Sequence, residues 1–147
     1  MPSKDLEAIF SYARSQNIFI NKQEFQFQVE THPDYPSILA YSDALSFFNI
    51  KNIIFKAENE QMEALPNDFL TLVYKQIEPK SFSLEPIFSF VEKKDGAIFL
   101  DGNIVSVENL FDLWNGIVLL IEKPENFAEY TSENSSLKTM LFAGISL

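Results

Sequence analysis

Pro86-Ile87-Phe88-Ser89-Phe90-Val91-Glu92-Lys93-Lys94-Asp95-Gly96-Ala97-Ile98-Phe99-Leu100-Asp101-Gly102-Asn103-Ile104-Val105 holds two chain reversals, and they decide the fold class. The apolar run from Pro86 to Lys93 meets Lys94-Asp95-Gly96, where glycine supplies the positive φ of a hairpin turn. A second run, Ala97 to Leu100, meets Asp101-Gly102-Asn103 ahead of Ile104 and Val105. Tight turns between apolar runs predict antiparallel strands. On the C-terminal side, Ser106 can cap a short helix over Val107 to Leu113, carrying Leu110, Phe111 and Trp114. Asn115-Gly116 should end that helix, and Gly116 to Glu122 should return as the last strand. On the N-terminal side, Phe69 to Tyr74 is a further strand and Asn52 to Ala57 a β-branched one. Between them, Glu60 to Leu65 predicts one or two helical turns closed by Pro66.

Ahead of these strands the period changes. Leu6, Ile9, Phe10 and Ala13 recur at helical spacing over Asp5 to Ser15, with Ser3 available as N-cap and Asp5 and Glu7 in the first turn. Asn21 caps a second helix over Lys22 to Glu30, with Phe25 and Val29 on one face, although Phe25 to Val29 also alternates as a strand would. His32-Pro33-Asp34-Tyr35-Pro36-Ser37 is a structured loop, its Tyr35–Pro36 bond expected trans on the usual preference. Ser37 is the expected cap of the helix that runs on to Asn49 through Ile38, Leu39, Tyr41, Ala44, Leu45 and Phe48. Helices first and a hairpin-rich sheet afterwards predict an α+β fold, with the helices packed on an antiparallel sheet.

The 147 residues suit one domain and a tail, and fifteen phenylalanines supply a core. With a net charge of −10 and eleven scattered Lys and Arg, the chain cannot neutralise a row of phosphates, which excludes nucleic acid as partner. The same charge repels an anionic membrane surface and suits a basic or neutral peptide. The absence of cysteine excludes thiolate catalysis, disulfides and cysteine-type zinc sites, and the single histidine leaves no catalytic set. No cofactor and no metal are expected. The start of the chain lacks the apolar stretch of a signal peptide, so the cytoplasm is the default compartment. Residues 123–136, with Pro124, Glu125, Glu129, Glu133, Asn134, Ser135 and Ser136, read as a linker. Residues 137–147 form an apolar tail, uncharged after Lys138, which is either the start of a transmembrane helix or a segment resting on an apolar surface patch.

Among candidate site residues, His32 stands beside Asp34 and Tyr35 in the proline loop, where an imidazole could act as acid or base. Bonding to backbone in the turn is the better reading, because one titratable group makes no catalytic constellation. His32, Tyr35 and Trp114 are candidates for contact with a partner, with a core position favoured for Trp114. Glu58, Glu60, Glu63 and Asp68 lack the ligand spacing of a calcium loop and read as a solvated face. Ser132, Ser135 and Ser136 have no nucleophile elbow around them.

Three segments together resemble a known family: His32 to Ser37 entering an apolar helix that ends Phe47-Phe48-Asn49-Ile50, the strand pair around Phe88 and Asp101, and Leu113-Trp114-Asn115-Gly116 entering a final strand. Over residues 3 to 122 the order resembles the bacteriocin-processing, double-glycine peptidases, papain-like domains at the cytoplasmic N-terminus of peptide-exporting ABC transporters. It is most similar to the degenerate copies fused ahead of a vitamin K epoxide reductase-like membrane domain and a thioredoxin-like domain. The resemblance implies a papain-like fold over 1–122. It asks for a nucleophilic cysteine at the start of the first helix, preceded by a glutamine, with a histidine and an aspartate on later strands. Here Ser3 to Leu6 offers no thiol and no preceding glutamine, Phe88 or Ser89 falls at the histidine position, and only Asp101 matches, followed by Gly102 where the family usually has proline. A lone orienting carboxylate has nothing to orient. The implied protein is a non-catalytic domain that binds a peptide or partner protein, on the cytoplasmic face of the inner membrane if its parent is a membrane protein and cytoplasmic otherwise, with membrane contact only through its C-terminal continuation. The alternatives are a structural or regulatory domain packing on its own membrane portion, and a residual hydrolase using Asp101 and His32.

Overall fold

Both hairpin turns have two residues in the left-handed region, Asp95 (φ 53°) with Gly96 (77°) and Asp101 (51°) with Gly102 (85°). This is the turn geometry whose twist matches that of the flanking strands, and aspartate is among the few side chains that accept it. The computed structural model describes residues 4–76 and 84–121. It contains α1 (Lys4–Ser15), α2 (Lys22–Glu30), α3 (Ile38–Phe47), β1 (Asn52–Lys56), a 3-10 turn (Asn59–Ala64), β2 (Asp68–Gln76), β3 (Leu84–Lys94), β4 (Ala97–Leu100), β5 (Asn103–Val105), α4 (Val107–Leu113) and β6 (Trp114–Ile121). The strands form one sheet in the order β1-β6-β2-β3-β4-β5, antiparallel at every pairing. The architecture is the expected α+β.

Period-two alternation sorts the strand residues onto two buried faces. Leu70, Phe88, Phe90, Ile117, Leu119 and Ile121 face the three N-terminal helices, meeting Leu6, Ile9, Phe25, Tyr41 and Leu45. Phe55, Phe69, Val73, Val91, Val118 and Leu120 face the other way, under the 3-10 turn, α4 and Trp114. Polar ties fix the helices in place. Tyr12 of α1 accepts at its hydroxyl from Ile121 N (2.9 Å), and Asn52 of β1 bonds Ser42 and Ser46 of α3.

Several expectations change in detail. α3 stops at Phe47, and Asn49 takes a left-handed turn (φ 62°). Asn115-Gly116 does not end α4, because the strand begins at Trp114. The Tyr35–Pro36 peptide is cis, not trans. Ser37 occupies the N-cap position of α3 but makes no capping bond, its Oγ being buried without a partner. Asn21 and Ser106 do cap, accepting from Glu24 N (3.0 Å) and Asn109 N (3.1 Å). The expected Ser3 cap, the 123–136 linker and the 137–147 tail lie outside the described residues.

Gly116 has a structural duty the other described glycines lack. Its φ is 84°, and a Cβ there would sit 2.6 Å from Ala57 O, whereas one on Gly96 or Gly102 would meet nothing. Gly116→Ala is therefore expected to cost more than the ~1–2 kcal/mol of left-handed strain alone, and Gly96→Ala no more than that strain. Urea denaturation of both variants checks this. In the same assay Ser106→Ala should lose about 1 kcal/mol and Ser37→Ala less than about 0.5, since only the first removes a capping bond.

Candidate functional site: the cleft between α1 and the β3–β5 hairpins

Asp5 lies in the first turn of α1, where a carboxylate suits the positive end of the helix dipole. Its reach is longer than that. Asp5 Oδ1 accepts from the backbone N–H of Phe88 at 2.6 Å, and the Tyr41 hydroxyl of α3 also donates to the carboxylate. One side chain thus joins α1, α3 and β3. Burial pushes its pKa above the ordinary carboxylate value, and the two donors only partly restore it.

Around this tie lie the positions that the family resemblance singles out. The Phe88 ring is buried and packs edge-on against Tyr41, with centroids 5.0 Å apart. Ser89 points to the opposite face of the sheet, where its Oγ is buried without a partner. Asp101 sits in the β4–β5 turn. Its Oδ1 accepts from Phe90 N, and its own N–H donates to Phe90 O, both at 2.8 Å. The carboxylate therefore extends the β3–β4 ladder by one rung. The chain has no cysteine to supply a thiol, and its one imidazole, His32, is engaged in the proline loop. Asp5 and Asp101 each hold a backbone N–H of β3 in place.

Beside the tie a cleft of about 530 Å³ remains open. α1 gives one wall through Lys4, Glu7 and Ser11; Phe90 and Glu92 of β3 form the floor; Asp101 to Asn103 make the far side. Glu92 pairs with Lys94 at 2.9 Å. It stands opposite Asp68 in the β2–β3 register, and Asp68 takes a bond from Gln16 Nε2, just past the end of α1 (3.3 Å). Burial chiefly, and Glu92 in addition, push the Asp68 carboxyl upward. Among the described residues no group of three or more metal-ligating side chains converges.

The remaining candidates lie outside the cleft. His32 Nδ1 accepts from Asp34 N (3.0 Å), which places the proton on Nε2, and that nitrogen meets Asp43 of α3 at 2.7 Å. Both ring nitrogens are spent on locking the proline loop to α3. Tyr35 is partly exposed in the same loop. Trp114 is 8 % exposed, stacks on Phe111 and donates from Nε1 to Asn59 Oδ1 (3.0 Å). Of the nominated positions only Asp101 lines the cleft. Asp5, Tyr41, Glu7 and Glu92 were not singled out as site residues. Asp5 carries only the signal of a first-turn acid, and nothing local connects it to a strand 83 positions away.

No family model and no curated protein matches the chain. Among solved structures, the fold is similar to the peptidase domain of Streptococcus ComA, a bi-functional ABC transporter involved in a quorum-sensing pathway. The TM-score is 0.60 at 14 % identity, over 82 % of this chain and 93 % of that one. What the two share is the papain-like α+β fold.

The tie makes a prediction about charge. Because the folded state raises the Asp5 pKa, the cost of burying its ionised form is present at neutral pH and disappears as the pH falls through the raised value toward 3.8. Asp5→Asn keeps an acceptor for Phe88 N and removes the charge. It should be at least as stable as wild type at pH 7, and wild type should close the gap on acidification. Asp5→Ala strands a buried N–H and should lose ~1–3 kcal/mol. Thermal melts between neutral and mildly acidic pH measure both; a pH-independent difference for Asp5→Asn would refute the linkage.

Proposed function

We propose that this chain is a catalytically inert peptidase-like domain that binds an extended peptide, or a segment of a partner protein, in the cleft between α1 and the β3–β5 hairpins. The observation that carries the reading is the Asp5 tie. At the helix start where the resemblance puts a nucleophile, a carboxylate is bonded to Phe88 N and Tyr41, while the neighbouring cleft stays open. The likeness to a transporter's peptidase domain supports a peptidase-derived scaffold. In this proposal the parent is a membrane protein of the vitamin K epoxide reductase family or a peptide exporter, with the domain at the cytoplasmic face of the inner membrane. That part rests on the sequence resemblance. No helix among the described residues is long and apolar enough to cross a membrane.

A second reading, a structural domain packing on its own membrane portion, is favoured by one observation. Phe27 of α2 and Phe47 of α3 are 63 % and 62 % exposed, and they flank a groove of about 390 Å³. Two exposed rings on adjoining helices are what a docked partner would cover. A residual hydrolase has the least support, since both His32 nitrogens are engaged away from the cleft.

The test pairs chemistry with binding. The 147-residue protein should show no turnover of fluorogenic peptides, and displayed random peptides should be retained by wild type and lost on Glu7→Lys in the cleft wall. Retention insensitive to Glu7→Lys but abolished by Phe47→Ser would move the site to the helical face. Turnover lost in His32→Ala would overturn the inert reading.

A further inference from the structure

The α1-facing side of the sheet continues past α1 onto the two hairpins. Asp68, Glu92, Phe99 and Ile104 are partners in successive rungs across β2, β3, β4 and β5, so their side chains share this face. Phe99 is half-buried and Ile104 is 68 % exposed. The outcome is a shelf running from the cleft to the edge of the sheet.

β5 is that edge. Leu100 and Asn103 flank a two-residue turn, so they form the pair that exchanges both ladder bonds, and the next rung, Phe99 with Ile104, is the pair that exchanges none. The N–H and C=O of Ile104 consequently point away from β4, into solvent. An incoming strand would find there one donor and one acceptor at adjacent spacing, with the Ile104 side chain beneath it. Edges of this kind recruit extended segments, main-chain bonds giving affinity and alternate side chains giving specificity.

Charge selects the occupant. Three carboxylates, Glu7, Glu92 and Asp101, line the cleft with the ammonium of Lys4; Lys94 pairs with Glu92, Asp68 stands beside that pair, and the chain carries a net charge of −10. A second copy of this chain would bring its own acidic cleft to the same edge. We propose that β5 is extended by a strand from a partner protein that places an apolar residue on Ile104 and Lys or Arg two positions to either side, on the cleft face. This rests on the reading of the cleft as a peptide site and adds its edge, its register and the chemistry of the ligand.

The probe is a short fluorescein-labelled peptide, serine throughout except for a central valine and a lysine two positions to each side. Fluorescence anisotropy with the 147-residue protein should show binding, weakened at least about tenfold when the lysines become glutamates. Ile104→Pro removes the outward N–H together with the isoleucine side chain, and should weaken binding by at least a similar factor. A peptide N-methylated at the central valine loses the corresponding donor on the ligand side and should fail likewise, which keeps the test decisive if Ile104→Pro does not fold. In wild type, exchange of the Ile104 amide should slow at least about tenfold on saturation. Unchanged affinity for the N-methylated peptide would overturn the edge while leaving the cleft reading standing. Equal binding of the lysine and glutamate peptides, or none of either, would overturn the ligand chemistry; loss of all displayed-peptide retention would instead bring down the cleft reading. A wild-type dimer in sedimentation that Ile104→Pro dissolves would give the edge to a second copy and refute the proposal.

Discussion

The last described strand is apolar on both sides, and the rest of the molecule is arranged around that constraint. In β6, Ile117, Leu119 and Ile121 turn to the helices while Val118 and Leu120 turn the other way, and all five are buried. A strand of this kind cannot lie on a surface, because each face carries apolar area worth ~25 cal/mol per Å² when removed from water. It needs neighbours on both edges and cover on both faces. β1 and β2 supply the edges; the N-terminal helices supply one cover and the 3-10 turn with α4 the other. Even the polar residue on this strand's border, Thr71, spends its hydroxyl on Ile117 O (2.7 Å).

Once that sandwich is fixed, α1 has one place to lie, along β3, and the cleft follows from geometry. Three helices cover the β1-β6-β2-β3 part of the sheet, and the two hairpins project beyond them. A helix laid beside a projecting hairpin makes a groove with a helical wall and a sheet floor. Asp5 pins the end of that wall. A partly buried carboxylate, its pKa raised by desolvation, is a costly way to hold a helix, since a neutral acceptor would serve the same N–H. Asp5 falls within Ser3 to Leu6, and there it ties α1 to both Tyr41 and Phe88 N.

Much of this was legible in the sequence, for reasons that differ by element. The two Asp-Gly turns announce their geometry because few residues tolerate a left-handed backbone, and Asn21 and Ser106 announce theirs because capping is a contact between neighbours in the chain. Ser37 looked the same and is not, since burial of its hydroxyl depends on what packs over the proline loop. The last strand was visible as an apolar run, but apolarity reports depth and not adjacency, so its insertion between β1 and β2 could not be read. Asp5 shows the same limit more sharply. Its helical position is local information, and its partners Tyr41 and Phe88 are not.

That insertion sets a schedule for synthesis. The sheet consists of a lone strand, β1, and a block, β2 to β5, with no pairing between them except through β6. A ribosome delivers β1 first and β6 after every other strand, so for most of translation the helices and β1 have no sheet to close against and the block exposes Leu70 and Thr71 along an unfilled edge. The nascent chain can form helices and hairpins, but the join waits until Ile121 has left the exit tunnel. Domains of this topology are completed from behind, and until then they display to chaperones the two strand edges that the finished molecule hides.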